Sequence, residues 1–272
     1  MKIKTNEDKL KVIELYNNGY TLCDIAKEFN LKSYSSIRLI LLKNGINLKT
    51  RIGCNTRSKK INEKYFNIID TPEKAYILGW IISDGYVNKY KLSFCIKDLE
   101  ILLKIKKELN SEHKITQSCY YDKRTEKEYD SYYLQIISKK IVLSLNKLGI
   151  YQRKSFNSDL PNIESKLYPD LIRGIFDGDG YIGVEKRNNK KILRFSIIVS
   201  ELLYNKLEPI FNENNMFFKK PELISNNIEG KILKILIYKK NELYNFYKYI
   251  YYDGCMKLDR KYEKFKEVFI DE

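Results

Sequence analysis

Two aspartates, Asp84 and Asp179, each stand directly before a glycine, Gly85 and Gly180, at the close of segments that share one pattern. The first reads Tyr76-Ile77-Leu78-Gly79-Trp80-Ile81-Ile82-Ser83-Asp84-Gly85-Tyr86, and the second Leu171-Ile172-Arg173-Gly174-Ile175-Phe176-Asp177-Gly178-Asp179-Gly180-Tyr181. Ala75, Gly79 and Ser83 recur every four residues, as do Gly174 and Gly178, so each segment, coiled as a helix, carries a stripe of small residues on one face. Helices packed along such stripes come close together and bring Asp84 and Asp179 out side by side at their C-termini. A carboxylate there opposes the helix dipole and two together repel, so the arrangement is unfavourable unless cations bind. Hard oxygen donors at that point imply Mg²⁺, with Mn²⁺ as a substitute, and make Asp84, Gly85, Asp179 and Gly180 the candidate metal positions. Ions about 4 Å apart can activate a water and stabilise the leaving oxygen of a phosphodiester. The bland alternative is a pair of helix-ending Asp-Gly turns, disfavoured because both follow a small-residue stripe and precede a strand. Asp177 stays outside the primary site, because Ile82 holds its place in the first segment. An EF-hand is excluded, since Tyr181 and Asn188 stand where ligands belong.

Composition narrows the chemistry further. The single histidine, His113, lies in a polar stretch and reads as a surface residue, which removes mechanisms that need placed imidazoles. Five scattered cysteines without a CxxC pair suggest neither a zinc site nor a disulfide framework and suit a reducing interior. A net charge of +15 raises the local concentration of polyanions and makes nucleic acid the leading partner. The apolar run from Ala75 to Ile82 is too short to cross a bilayer, so a soluble, intracellular protein without a membrane partner is expected.

The elements that must position the two aspartates are duplicated as well. Pro72 and Pro169 open the paired helices, with Thr71 as cap of the first. An alternating strand follows each: Lys91, Ser93, Cys95 and Lys97 face one way and Leu92, Phe94 and Ile96 the other, while Leu193, Phe195, Ile197 and Val199 oppose Arg194, Ser196 and Ser200. Helices are expected at 99–109 and 139–148 in copy one, and near 201–215 and 241–251 in copy two. Ahead of the repeats, 7–18, 21–28 and 33–43 read as three short helices with Leu22, Ile25, Ala26, Phe29, Ile37, Ile40 and Leu41 facing inward. The stretch 46–67 then carries Lys49, Arg51, Arg57, Lys59, Lys60 and Lys64 against Glu63 alone and reads as a basic linker.

The paired segments resemble the two signature motifs of single-chain LAGLIDADG homing endonucleases, over roughly residues 68–270. The resemblance implies an α+β fold of tandem pseudo-twofold αββαββα repeats with saddle-shaped antiparallel sheets, at 68–160 and 161–272, preceded by an all-α module at 1–45. It also implies a metal-dependent enzyme that cuts double-stranded DNA as a monomer. In that family a basic residue after the second helix of each repeat approaches the scissile phosphate. Matching stretches make Lys154 and Lys261 the candidates, as stabilisers of developing charge, with Lys257 a competing choice. The strand residues Lys89, Lys91, Ser93, Lys97, Lys186, Arg187, Arg194 and Ser196 would read base edges. The N-terminal helices resemble a helix-turn-helix, whose third helix would present Lys32, Tyr34, Ser35 and Arg38, with Arg51, Arg57, Lys59 and Lys60 along phosphates. Three other functions fit parts of the chain: an intron maturase binding RNA, a non-catalytic DNA-binding regulator, and a PD-(D/E)xK nuclease using Glu229-Gly230-Lys231. Retention of both Asp84 and Asp179 favours cleavage.

Overall fold

The computed structural model of the 272-residue chain describes residues 5–18, 20, 22–31, 33–46, 59–152, 156–187 and 190–269, with Ile3 and Leu48. They fall into two units, Met1–Ser58 and Lys59–Glu272. The first contains α1 (Asn6–Asn17), α2 (Leu22–Glu28) and α3 (Ser35–Lys43). Thr5 caps α1 in a reciprocal box with Asp8, satisfying two otherwise orphaned donors. Asn30, at a φ of 49°, turns the chain out of α2, and the Leu31 amide returns to the Ala26 carbonyl at 2.8 Å. Val12, Ile25, Ala26, Phe29, Ile37 and Leu41 close a small core of this unit's own.

The second unit is mixed α+β. Its first half runs α4 (Pro72–Ser83), β1 (Gly85–Asn88), β2 (Lys91–Ile96), α5 (Leu99–Glu108), β3 (Ile115–Asp122), β4 (Lys127–Ile137) and α6 (Lys139–Lys147). The second half repeats the order as α7 (Tyr168–Asp179), β5 (Gly180–Arg187), β6 (Lys190–Ser200), α8 (Glu201–Glu213), β7 (Glu222–Asn227), β8 (Gly230–Ile237) and α9 (Lys240–Ile250). One more helix, α10 (Asp259–Phe269), was not foreseen and has no counterpart among the described residues of the first half. Each half builds a four-stranded antiparallel sheet, ordered β1-β2-β4-β3 and β5-β6-β8-β7. Gly85 pairs with Phe94 and Gly180 with Ile197, so the first hairpin of each half starts at the glycine after its aspartate, with four paired positions in the first half and eight in the second.

Alternation decides which sheet face is covered. Leu92, Phe94, Leu134 and Ile136 are buried on the inner face of the first sheet, and Phe195, Ile197, Ile235 and Ile237 on that of the second. Two expectations change. Residues 59–67, the end of the stretch taken for a linker, belong to the second unit: Tyr65 and Phe66 are core residues, and the Asn62 amide bonds the Leu109 carbonyl at 2.9 Å. The excess of charge hid the few apolar residues that anchor this stretch. His113 is not a surface residue but only 5% exposed; its Nδ1 lies 2.8 Å from Ser111 Oγ, and its Nε2 accepts the Ile137 amide at 3.4 Å. Nε2 as acceptor puts the ring proton on Nδ1, so the neutral ring ties the turn after α5 to the end of β4. Burial, with Lys59 and Lys106 adding to it, holds the imidazole below its ordinary range.

Candidate active site at the paired helix ends

Helices α4 and α7 pack on each other at backbone distance. A Cβ on Gly79 would stand 2.2 Å from the Leu171 carbonyl oxygen, and one on Gly174 would stand 2.1 Å from that of Tyr76. Further along, a Cβ on Gly178 would overlap Ser83 Oγ at 1.9 Å and reach within 3.5 Å of Asp84 Oδ2. The small-residue stripes are therefore the contact surface, and the Asp84 carboxylate lies against the residue preceding Asp179. Both aspartates are exposed at the helix ends, although Trp80, Ile81, Phe176 and Asp177 just before them are buried.

Each helix passes straight into a strand through its glycine. Gly85 and Gly180 are not at positive φ. What they need is room: a Cβ on Gly85 would stand 2.7 Å from the Ile81 carbonyl oxygen, and one on Gly180 would stand 2.4 Å from that of Phe176, four residues back in each case. The Asp-Gly pair is thus the tightest link that turns a packed helix end into β1 or β5 while leaving a carboxylate outside. Two carboxylates here supply hard oxygen donors of the kind Mg²⁺ takes, with waters and substrate oxygens left to complete the shell. Among the described residues no group of three or more His, Cys, Asp or Glu side chains is arranged to hold a metal ion.

Beneath α7 lies a polar cluster that the spacing of residues did not reveal. Asp177 is buried; its Oδ2 accepts the Tyr76 hydroxyl at 2.8 Å and the Leu258 amide at 2.9 Å, joining the two halves of the unit. Lys261 is only 4% exposed and spends its ammonium on the carbonyls of Phe176 at 2.7 Å, Asp177 at 2.8 Å and Gly180. Burial raises the Asp177 carboxyl to about 6, against the pull of Lys261 and Tyr76, and lowers the Lys261 ammonium to about 8. Arg173 is fully buried, paired with Asp170, and donates to the Met256 carbonyl at 2.7 Å and to that of Ile250. These bonds fasten the chain after α9 to the motif helix. Asp177 gave a weak signal because its counterpart is apolar; the three polar residues Asp170, Arg173 and Asp177 on one otherwise buried helix were the clue.

The expected positions fare unevenly. Lys261 is corrected: with three ammonium protons on three carbonyls, it holds the end of α7 and offers no N–H to a phosphate. Gly180 also changes, since its carbonyl accepts from Lys261 and keeps one lone pair for any cation. Lys257 lies half-buried, with its Nζ 4.6 Å from the centre of the Tyr262 ring. Arg260, not singled out from the sequence, is exposed and holds Asp98 by two bonds of 2.9 Å, bridging the C-terminal segment to the first repeat. Its pKa is raised by that bond, with the charges of Asp177 and Asp84 adding to it. Lys154, Lys32, Lys49, Arg51 and Arg57 lie outside the described residues, as do the side chains of Lys186 and Arg187.

Of the strand positions, Lys89, Lys97 and Arg194 are exposed and Lys91 is half-buried. Ser93 and Ser196 are corrected, at 3% and 8% exposed. They occupy matching places between larger neighbours, Ser93 between Tyr86 and Gln135 and Ser196 between Tyr181 and Leu236. Alternation put them on the outer face, but their short side chains sink below these flanks. Tyr34, Ser35 and Arg38 of the first unit are exposed along the start of α3, and Lys59 and Lys60 are exposed as well. Lys231 pairs with Glu201 at 2.8 Å, so the ammonium of the Glu229-Gly230-Lys231 tripeptide is engaged by a carboxylate outside it.

Residues 71–148, from the cap of α4 to the end of α6, match the family model of the LAGLIDADG-like domain. Among solved structures, the chain is similar to the homing endonuclease I-WcaI bound to its DNA recognition sequence, at 14% identity, with 79% of this chain and 95% of that one covered and a TM-score of 0.47. It is also similar to the LAGLIDADG homing endonuclease I-GzeII in complex with a DNA target, at 13% identity, covering 73% and 88%, with a TM-score of 0.47. Mesophilic variants of the homing endonuclease I-DmoI match at 14% identity, covering 76% and 99%, with a TM-score of 0.42. The comparison with curated proteins gives no match. No helix among the described residues is long and apolar enough to cross a membrane.

Proposed function

We propose that the chain is a site-specific double-strand DNA endonuclease of the LAGLIDADG homing type, with Mg²⁺ or Mn²⁺ held between Asp84 and Asp179. The observation that supports this is the backbone-to-backbone packing of α4 and α7 at Gly79, Gly174 and Gly178, with Asp84 Oδ2 within 3.5 Å of a Cβ built on Gly178, the residue before Asp179. Bound there, the cation supplies charge neutralisation at the phosphodiester and lowers the pKa of an attacking water. The chain's own groups do the rest. Asp84 and Asp179 fix the position of the cleavage point, Lys261 holds the end of α7 rigid beneath it, and Arg260 adds positive charge at its edge. Lys154 is the remaining candidate in the first repeat to approach a phosphate. Lys89, Lys91, Lys97, Lys186, Arg187 and Arg194 would then contact the duplex from the strands. In this reading 68–160 and 161–272 are the two halves of one monomeric enzyme, and 1–58 is a helix-turn-helix extension contacting DNA through Tyr34, Ser35 and Arg38.

Incubation with a randomised duplex library and Mg²⁺, followed by sequencing of cleaved ends, tests the reading. One long, non-palindromic site is expected from the wild type, and none from Asp84→Asn or Asp179→Asn, both still binding DNA. Capture of structured RNA without DNA cleavage would move the assignment to a maturase, and full cleavage by both variants would end it. Deleting residues 1–58 should shorten the footprint on one side and lower the slope of log K against log salt by roughly 0.9 for each phosphate no longer neutralised by a lysine or arginine.

A further inference from the structure

The open face of each sheet starts beside its aspartate, because Tyr86 and Tyr181 follow Asp84 and Asp179 by two residues and both are exposed. The common start of the first hairpins makes the two faces comparable position by position. Phe94 and Leu134 pair as Ile197 and Ile235 do, so Lys91, Cys95, Ser131 and Gln135 of the first face correspond to Arg194, Ile198, Ile232 and Leu236 of the second. On the first face Lys91 lies 5.5 Å from the Tyr86 ring centre and Lys97 lies 4.3 Å from that of Tyr129. On the second, two of the described cations face carboxylates of their own sheet: Arg194 pairs with Glu185 at 2.7 Å, and Lys234 with Glu222 at 3.7 Å. What projects between these pairs is aliphatic, with Ile198 42% exposed and Ile232 and Leu236 half-buried.

Resting on the endonuclease reading above, we infer that the second sheet reads its half of the target through thymine methyl groups, whereas the first reads through hydrogen bonds. In the major groove the C5-methyl of thymine is the apolar feature of a base-pair edge; guanine and cytosine present only acceptors and donors there. Ile198, Ile232 and Leu236 can satisfy no polar edge atom, so every base pair beneath them loses water without replacement, and an A·T pair offsets part of that loss by burying its C5-methyl, which a G·C pair lacks. The two ion pairs seen among the described side chains, Arg194–Glu185 and Lys234–Glu222, match that role, since at those places they leave shape and methyl packing to discriminate. At the corresponding places in the first sheet, Gln135 accepts the Tyr133 hydroxyl on Oε1 at 2.8 Å and keeps its amide donors, and Ser131 donates to the Ser118 carbonyl at 3.2 Å and keeps acceptor lone pairs.

The test uses the duplex selected from the randomised library, with deoxyuridine replacing thymidine in one half at a time, which removes the methyl and nothing else. Binding should weaken about fourfold for each contacted thymine in the half beneath the second sheet, the equivalent of one buried methyl, and stay within about twofold for the other half. The exposed-face variant Ile198→Ser/Leu236→Gln should bind DNA and lose that sensitivity, identifying which half the second sheet covers. Equal losses in both halves, or undiminished sensitivity in the variant, overturn the inference while leaving the endonuclease intact. If the library yields no bound or cleaved duplex, it is the endonuclease reading that fails.

Discussion

The two repeats share a backbone and a carboxylate, yet they bury their motif helices by different means. Aligned on Asp84 and Asp179, the first helix has Ala75, Leu78 and Ile82 where the second has Asp170, Arg173 and Asp177. In α4 these side chains join an apolar core; in α7 they bind Met256, Ile250, Leu258 and Tyr76 by hydrogen bonds. The reason is what lies behind each helix. The chain after α9 folds back under α7 and brings backbone groups that need partners, and charged side chains satisfy them where aliphatic ones cannot. Equivalent positions in a duplicated fold thus constrain the backbone and the exposed carboxylate, and leave the means of burial free.

The largest effect tests what the repeats have in common. Asp84→Asn and Asp179→Asn should each lower double-strand cleavage about a hundredfold or more with little change in binding, read as product formed on a defined duplex. A large asymmetry between the two would mean that the carboxylates are not equivalent.

The next tests what separates them. Lys261→Met leaves the carbonyls of Phe176, Asp177 and Gly180 without their donor and removes the charge that most lowers the buried Asp177 carboxyl, and should cost about 3–5 kcal/mol in urea unfolding. Leu78→Met, at the place of Arg173 in the apolar helix, should cost less than about 1.5 kcal/mol. The double variant Asp177→Ile/Lys261→Met, imitating Ile82, should recover part of the loss. It cannot recover all, because the Tyr76 hydroxyl and the Leu258 amide lose their acceptor. No difference between Lys261→Met and Leu78→Met would remove the contrast.

A smaller, symmetric effect is expected at the glycines. Gly85→Ala and Gly180→Ala each press a methyl onto a carbonyl four residues earlier and should destabilise by about 1–3 kcal/mol, measured by thermal unfolding. The penalties should be similar, because the helix-to-strand turn is the same in both repeats.

The smallest effect is in pH, and its sign differs between the repeats. His113 in the first has its pKa lowered in the fold, so below its ordinary range the unfolded chain binds more protons and acidification removes stability. Asp177 in the second is raised to about 6, so between its ordinary value of 3.8 and about 6 the folded chain binds more protons and acidification adds stability. His113→Gln should therefore become less acid-sensitive than wild type, and Asp177→Asn more so, when unfolding midpoints at pH 5 and pH 7 are compared. Parallel shifts in both variants would refute the opposed roles.

Local pattern was enough for much of this protein. The paired Asp-Gly motifs, their small-residue stripes and the alternating strands specify two α+β repeats and an exposed carboxylate at the end of each packed helix, because helix and strand periods are properties of neighbouring residues. The same reasoning found the three N-terminal helices and their inward residues. It could not find what depends on neighbours distant in sequence. Lys261 looks like any surface lysine until α10 places it under the end of α7, 84 residues after the carbonyl of Asp177 that it binds. His113 is buried by the end of β4, Tyr65 and Phe66 by a core their basic surroundings conceal, and Ser93 and Ser196 by the flanking strands. Residue type fixes what a side chain can do, and only the packed neighbours decide whether it faces water, a phosphate or another part of the chain.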